Sequence, residues 1–387
     1  MAGDVFDLLI RAGRVVSPDL GLDAPGAVAV RGDRIAASGP DVAGAARRTL
    51  DFPADLLLPG LVDLHAHPAR GQSQYGVDPD VEFLARGVTT VASQGDAGAL
   101  NWADYRATVV DVARTRVRMA LNLSAIGEIG TRPCFASLED VDVDACVRTI
   151  QAGDAHIWAI ALNSAAGLTG TNDPREVVAR GLAAAGRTNR PLLFGTRRHP
   201  DWTLADQLPW LRPGDVITYC FSSLEQNLAE HGRIRPEVWE ARHRGVLFDI
   251  GHGMASFDFR IAEIAIGEGF LPDTISTDQY RRHVGSNPQH DLPRTLSKLL
   301  AAGMREADAW PRVTTRPAEL LGLAGEIGTL RAGACADLAV LRWNPAARPL
   351  VDTSGGTRTG GCWEPVLTVR AGQVVAIDGR APRATLG

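Results

Sequence analysis

The stretch PGLVDLHAH (59–67) decides how this chain is read. A Pro-Gly break precedes a short apolar run, and the run ends on two histidines two residues apart. On a strand, residues i and i+2 share a face. His65 and His67 therefore present two imidazoles from one face, about 6–7 Å apart at Cα, a spacing that suits one divalent metal ion. The competing reading is a pair of core histidines, but a buried imidazole pair without partners is costly.

Working outward, more short apolar runs alternate with helical stretches. LVDLHAH (61–67), TTVASQG (89–95), RMALNLSAIG (118–127), IWAIALNS (157–164), PLLFGT (191–196), VITYC (216–220), LFDIGHG (247–253) and TISTD (274–278) read as strands. Amphipathic segments such as DPREVVARGLAAAGR (173–187) and FRIAEIAIGEGF (259–270) lie between them. Eight strand-then-helix units predict an α/β fold, a (β/α)8 TIM barrel over residues 57–329. Both ends of the chain are instead β-rich and split by glycine, as in DLLIRAGRVV (7–16) and PVLTVRAGQVVAIDG (365–379). They predict one small β-sandwich accessory domain built from residues 1–56 and 330–387.

Composition narrows the function. The chain has 387 residues, 45% of them apolar, enough for a barrel with an accessory domain. A net charge of −5 without basic clusters argues against nucleic acid. No run of 18 apolar residues spans a membrane, and the start MAGDVFDLLIRAG lacks the pattern of a signal peptide. Five cysteines, an odd count without metal-motif spacing, are expected as reduced thiols of a cytoplasmic protein. Of the 40 basic residues, one alone is a lysine, Lys298.

The chain resembles the amidohydrolase superfamily. PGLVDLHAH (59–67), STD (276–278) and the closing GTLRAGACADLAVL (328–341) carry the resemblance over nearly the whole chain. YGVDPDVEFLARGVTTV (75–91), DIGHGMASFDF (249–259) and GFLPDTISTD (269–278) are similar to the dihydroorotase-like deacetylases and esterases of N-acetyl or O-acetyl amino and hydroxy acids. The resemblance implies six metal ligands: the paired histidines, a carboxylated lysine on strand 4, a histidine each on strands 5 and 6, and an aspartate on strand 8. Here His65, His67 and Asp278 match. Ala161, Gly195 and Tyr219 stand at the other three positions, so the binuclear site is degraded. Lys298 lies beyond strand 8, which excludes a carboxylated lysine bridge.

The metal set expected is thus His65, His67 and Asp278, with Glu128 beside them. Glu128 either supplies a carboxylate in place of the lysine or is a solvated loop residue. Asp278 accepts the proton of the attacking water, or caps a helix. His252 contacts substrate, orients Asp278, or packs in a glycine-rich bend. Tyr219 donates to an oxyanion, or plugs the place of a second metal. Arg197 is the candidate for a substrate carboxylate, with Arg198 and His199 as alternatives, and Asn163 is a further substrate-binding candidate.

One divalent metal follows from this set, with zinc as the default and manganese or iron the alternatives. The expected activity is hydrolysis of an amide, imide or ester bond of a small carboxylate-bearing molecule, through water activated by a single metal. A lyase, isomerase or cyclase on the same barrel, or an inactive ligand-binding descendant, are the competing readings. The expected partner is a small molecule, and a homo-oligomer is left open.

Overall fold

A computed structural model describes residues 5–130, 132–152 and 155–380. The first four strands are β1 (Phe6–Ser17), β2 (Leu22–Arg31), β3 (Arg34–Gly39) and β4 (Ala46–Pro59). Seven more follow: β5 (Leu61–Ala66), β6 (Val88–Gln94), β7 (Arg116–Asn122), β8 (Ile157–Asn163), β9 (Leu192–Gly195), β10 (Val216–Thr218) and β11 (Leu247–Phe248). The chain ends with β12 (Leu338–Asn344), β13 (Cys362–Arg370) and β14 (Gln373–Ile377).

Strands β5 to β11 pair in parallel, in chain order, as one curled seven-stranded sheet. Parallel neighbours need crossovers, and helices supply several of them. The helix Pro174–Thr188 connects β8 to β9. Asp173 caps its first turn, Pro174 opens it, and Asn189 ends it in a left-handed conformation (φ +54°). The helix Phe259–Gly267 is capped in the same way by Asp258. A single apolar cluster runs from strand residues such as Val91, Leu121, Ile160 and Phe194 to helix residues such as Val177, Ala184, Ile261 and Leu296.

The eighth run, 274–278, forms less regular strand than its sequence predicts. Its ladder pairing is one parallel bridge, Asp249 to Thr274. Two features break the ladder. The hydroxyls of Thr274, Ser276 and Thr277 bond buried carboxylates, and Asp278 turns left-handed at φ +47°. The segment is still tied on both sides. His252 N and Gly253 N donate to Ser276 O and Thr277 O at 3.2 and 2.9 Å, and Asp278 N donates to His65 O at 2.7 Å.

Both chain ends meet in a second seven-stranded sheet, in the order β14-β13-β12-β4-β1-β2-β3. Leu8, Ile10, Val28, Val30, Val340 and Val369 build an apolar cluster of their own there. On β1 and β2 the alternate residues Leu9, Ala27 and Ala29 form another cluster. The outermost residues assigned to this unit, 1–4 and 381–387, lie outside the described residues, as does the start of the segment read for a signal peptide. All five cysteines are buried and unbridged. Among the described residues, no helix is long and apolar enough to cross a membrane.

Candidate metal centre

Strand β5 and the irregular segment 274–278 lie side by side, and this brings His65, His67 and Asp278 together. Asp278 Oδ1 lies 3.4 Å from His65 Nε2 and 3.3 Å from His67 Nε2. Those separations match the edge of a tetrahedron whose centre is about 2.0–2.1 Å from each corner, the bond length of zinc to nitrogen or carboxylate oxygen. All three residues are buried.

The far side of each ring is also tied. His67 Nδ1 sits 3.0 Å from Asp96 Oδ1, and the Asp96 carboxylate accepts from the Ser93 hydroxyl at 2.6 Å and from the Ser73 hydroxyl. His65 Nδ1 donates to Thr218 Oγ1 at 2.7 Å, and that hydroxyl donates onward to Asp249 Oδ2 at 2.9 Å. Asp249 also accepts from Thr274 and Ser276. With Nδ1 of each ring tied to these acceptors, the proton a metal would displace is the one on Nε2, which leaves the tautomer a metal ligand needs.

Charge in the site favours a cation. Burial by itself pushes both imidazoles down, but carboxylates outweigh it. Asp278 and Asp249 raise His65 to about 9, and Asp96, Asp278 and Glu128 raise His67 well above its ordinary value. Burial pushes Asp278 up, and the two histidines outweigh it, holding the carboxyl below the usual range. Three buried carboxylates, Asp96, Asp249 and Asp278, flank the two imidazoles, with the Glu128 carboxyl beside His67. A divalent cation satisfies that balance, so the donor set fits the group.

The other predicted residues separate. Glu128 is buried, but it approaches the Nδ1 edge of His67 (Oε2 at 3.4 Å) and groups with His67 and Asp96, not with the trio. Its Oε2 has no hydrogen-bond partner, and it borders a cavity of about 170 Å³ with Gln74, Tyr75 and Cys134. Burial raises its carboxyl to about 8 against the pull of His67. Tyr219 is at the centre: its hydroxyl is 3.4 Å from His65 Nε2.

Arg197 is not free for substrate. Its guanidinium is spent on Asp201, Thr169 and the Ser164 carbonyl, because the loop after β9 folds back over it. Its neighbour Arg198 reaches the site, lying 4.9 Å over the Tyr219 ring and bonded to Ser256 at 3.3 Å. Asn163 accepts from Ala165 N and occupies the space beside Gly195, where a Cβ would lie 2.6 Å from the Asn163 Cγ. Both ring nitrogens of His252 are engaged within the protein. It donates through Nδ1 to Gly253 O and meets Lys298 Nζ at Nε2.

Sequence reasoning passed over Asp96, Thr218, Asp249 and Lys298. For Asp96 and Asp249 a signal existed, since each is a carboxylate just past the C-terminal end of a strand. Thr218 and Lys298 carried none, because their partners are far away in the chain.

No family model matches the chain. It is 30% identical over 373 residues to a deacetylase of Enterococcus faecalis, spanning 95% of this chain and 99% of that protein. A crystal structure of an adenine deaminase superposes with a TM-score of 0.86 at 30% identity, covering 95% of this chain and 99% of the other. A crystal structure of a dihydroorotase gives a TM-score of 0.86 at 29% identity, covering 97% and 99%. Such likeness over nearly the full length, together with the histidine–aspartate trio, makes the chain a member of the amidohydrolase superfamily, a metal-dependent hydrolase of that group.

Proposed function

We propose that the chain is a mononuclear deacylase that cleaves an amide or ester bond of a small carboxylate-bearing molecule. The observation that carries this reading is the convergence of His65 Nε2, His67 Nε2 and Asp278 Oδ1 within 3.3–3.4 Å along the carboxylate edges. Ala161, Gly195 and Tyr219 offer no ligands of the usual kind for a second ion beside them.

His65, His67 and Asp278 would hold one divalent cation, zinc by default, which would supply Lewis acidity to the carbonyl and lower the pKa of water. Asp278 takes the proton of the attacking water at its carboxylate and passes it to the leaving nitrogen or oxygen. Tyr219, kept protonated by burial, then by the Asp278 charge, donates its hydroxyl to the oxygen on which charge develops. Arg198 pairs the substrate carboxylate in place of Arg197. Glu128, which borders a small cavity and whose Oε2 has no hydrogen-bond partner, accepts a substrate N–H or O–H.

In architecture, we read the curled sheet as a (β/α)8 barrel over residues 57–329, closed by segment 274–278 between β11 and β5. Residues 1–56 and 330–387 form the β-sandwich accessory domain. Hydrogen bonds on both sides of 274–278 and separate apolar clusters on the terminal sheet support this reading.

Metal analysis after metal-supplemented expression, followed by a panel of N-acetyl and O-acetyl amino and hydroxy acids, tests the function. About one metal per chain is expected, with acetate released. Fewer than about 0.3 metals per chain would sink the reading.

A further inference from the structure

Lys298 is the chain's one lysine. It sits on the helix Leu292–Ala301 with 5% of its surface exposed, and no step of the proposed hydrolysis uses it. Its Nζ lies 2.8 Å from His252 Nε2. An ammonium can only donate, so Nε2 accepts and the ring proton resides on Nδ1. That Nδ1 donates to the Gly253 carbonyl at 2.8 Å. Phe257 stacks on the same ring, centroids 5.0 Å apart and planes 14° apart, and limits its rotation. Burial, then the Lys298 charge, holds His252 well below its ordinary value, while burial lowers Lys298 only to about 8. At neutral pH the pair is therefore a neutral imidazole and a charged amine.

Gly253 is the surface on which Asp278 rests. Its φ is +48°, and a Cβ on it would lie 2.4 Å from Asp278 Oδ2. Its N–H holds Thr277 O, and His252 N holds Ser276 O. Asp278 itself is left-handed, a conformation a non-glycine residue keeps only when its surroundings enforce it.

We propose that Lys298 is a positioning residue: through the His252 ring it fixes the Gly253 carbonyl, and so the turn that aims the Asp278 carboxylate at His65 and His67. This rests on the reading of those three residues as the metal site. The expected role is in metal affinity, since partners one step behind a ligand are typically worth 10–100-fold there.

Cobalt(II) titration, followed by its visible absorption, tests this without any substrate. The parent is expected to take up one cobalt per chain. K298M and H252F are each expected to bind it about 10-fold or more weakly, and the double variant no worse than the weaker single. K298R, which restores a donor to the same ring, recovers part of the loss. H252F keeps an aromatic ring on Phe257, so it decides the matter if K298M does not fold. Binding by K298M or H252F within about twofold of the parent, or fully additive losses in the double variant, would overturn the positioning role. An H65A variant that binds cobalt as tightly as the parent would instead overturn the metal reading, and the positioning role with it.

Discussion

His67 Nδ1 and Asp96 Oδ1 are 3.0 Å apart, and the carboxylate between Ser73 and Ser93 has no freedom to leave the ring. Asp96 accepts the Nδ1 proton, so Nε2 is the nitrogen that would give up its proton to a metal. D96N can offer its amide N–H to Nδ1 and force the other tautomer. Metal affinity, measured against a chelator of known strength, is expected to fall about 10–100-fold. Unchanged affinity would show that the tautomer is set elsewhere.

His65 depends on a longer chain, through Thr218 to Asp249. T218V keeps the shape and removes the hydroxyl. It leaves two buried groups short of a partner, so a stability loss of about 1–3 kcal/mol is expected. Chemical denaturation measures that loss, and metal affinity should fall in parallel with it.

Gly253 has two reasons to be glycine: its positive φ and the 2.4 Å approach of Asp278 Oδ2 to any Cβ. G253A must displace that carboxylate. Loss of metal and of activity is expected, with a folding cost of only about 1–2 kcal/mol. Calorimetry beside metal analysis separates the two effects.

The adjacent arginines should give opposite phenotypes. R197A breaks a buried guanidinium network with Asp201, Thr169 and Ser164, and is expected to cost about 2–3 kcal/mol of stability. R198A should leave stability nearly unchanged and raise KM at least about 10-fold for carboxylate-bearing substrates. Equal KM effects on substrates with and without a carboxylate would remove Arg198 from recognition.

Lys298 makes a pH prediction. Burial lowers its amine from 10.5 to about 8. Between those values the unfolded chain binds more protons than the folded one, so this group makes stability rise with pH across the window. Below about pH 8 the buried charge is a constant penalty. K298M should lack the rise: its stability relative to the parent is greatest near pH 7 and declines by about 2–3 kcal/mol towards pH 10.5. Denaturation curves of both proteins over that range check it.

Much of the fold was legible in local pattern. The runs at 61–67, 89–95 and 157–164 are strands within a residue or two, because apolar runs bounded by glycine or polar breaks report burial directly. The run at 118–127 was overextended. Its strand ends at Asn122, whose side chain bonds Gly95 O and Ser124 N and turns the chain away. The eighth run was read as a strand because Thr-Ile-Ser-Thr has strand composition, but its hydroxyls are spent on Asp249 and Asp63.

The sequence by itself determined that His65 and His67 share a face and that no lysine can bridge two metals, while Asp278 came in only through the resemblance to the superfamily. Two-residue spacing on a strand and the presence or absence of a side chain are local facts. Only the tertiary structure decided which groups stand behind those ligands. Asp96 holds His67 from 29 positions away, Thr218 holds His65 from 153, and Lys298 reaches His252 from 46. It also tied Arg197 to Asp201 and left the neighbouring Arg198 over the Tyr219 ring, since which of two adjacent guanidiniums finds a carboxylate depends on how the loop closes. Hydrogen-bond partners a sheet apart leave no periodicity in the chain: a carboxylate past a strand end, as at Asp96, marks a candidate, and only the fold names its partner.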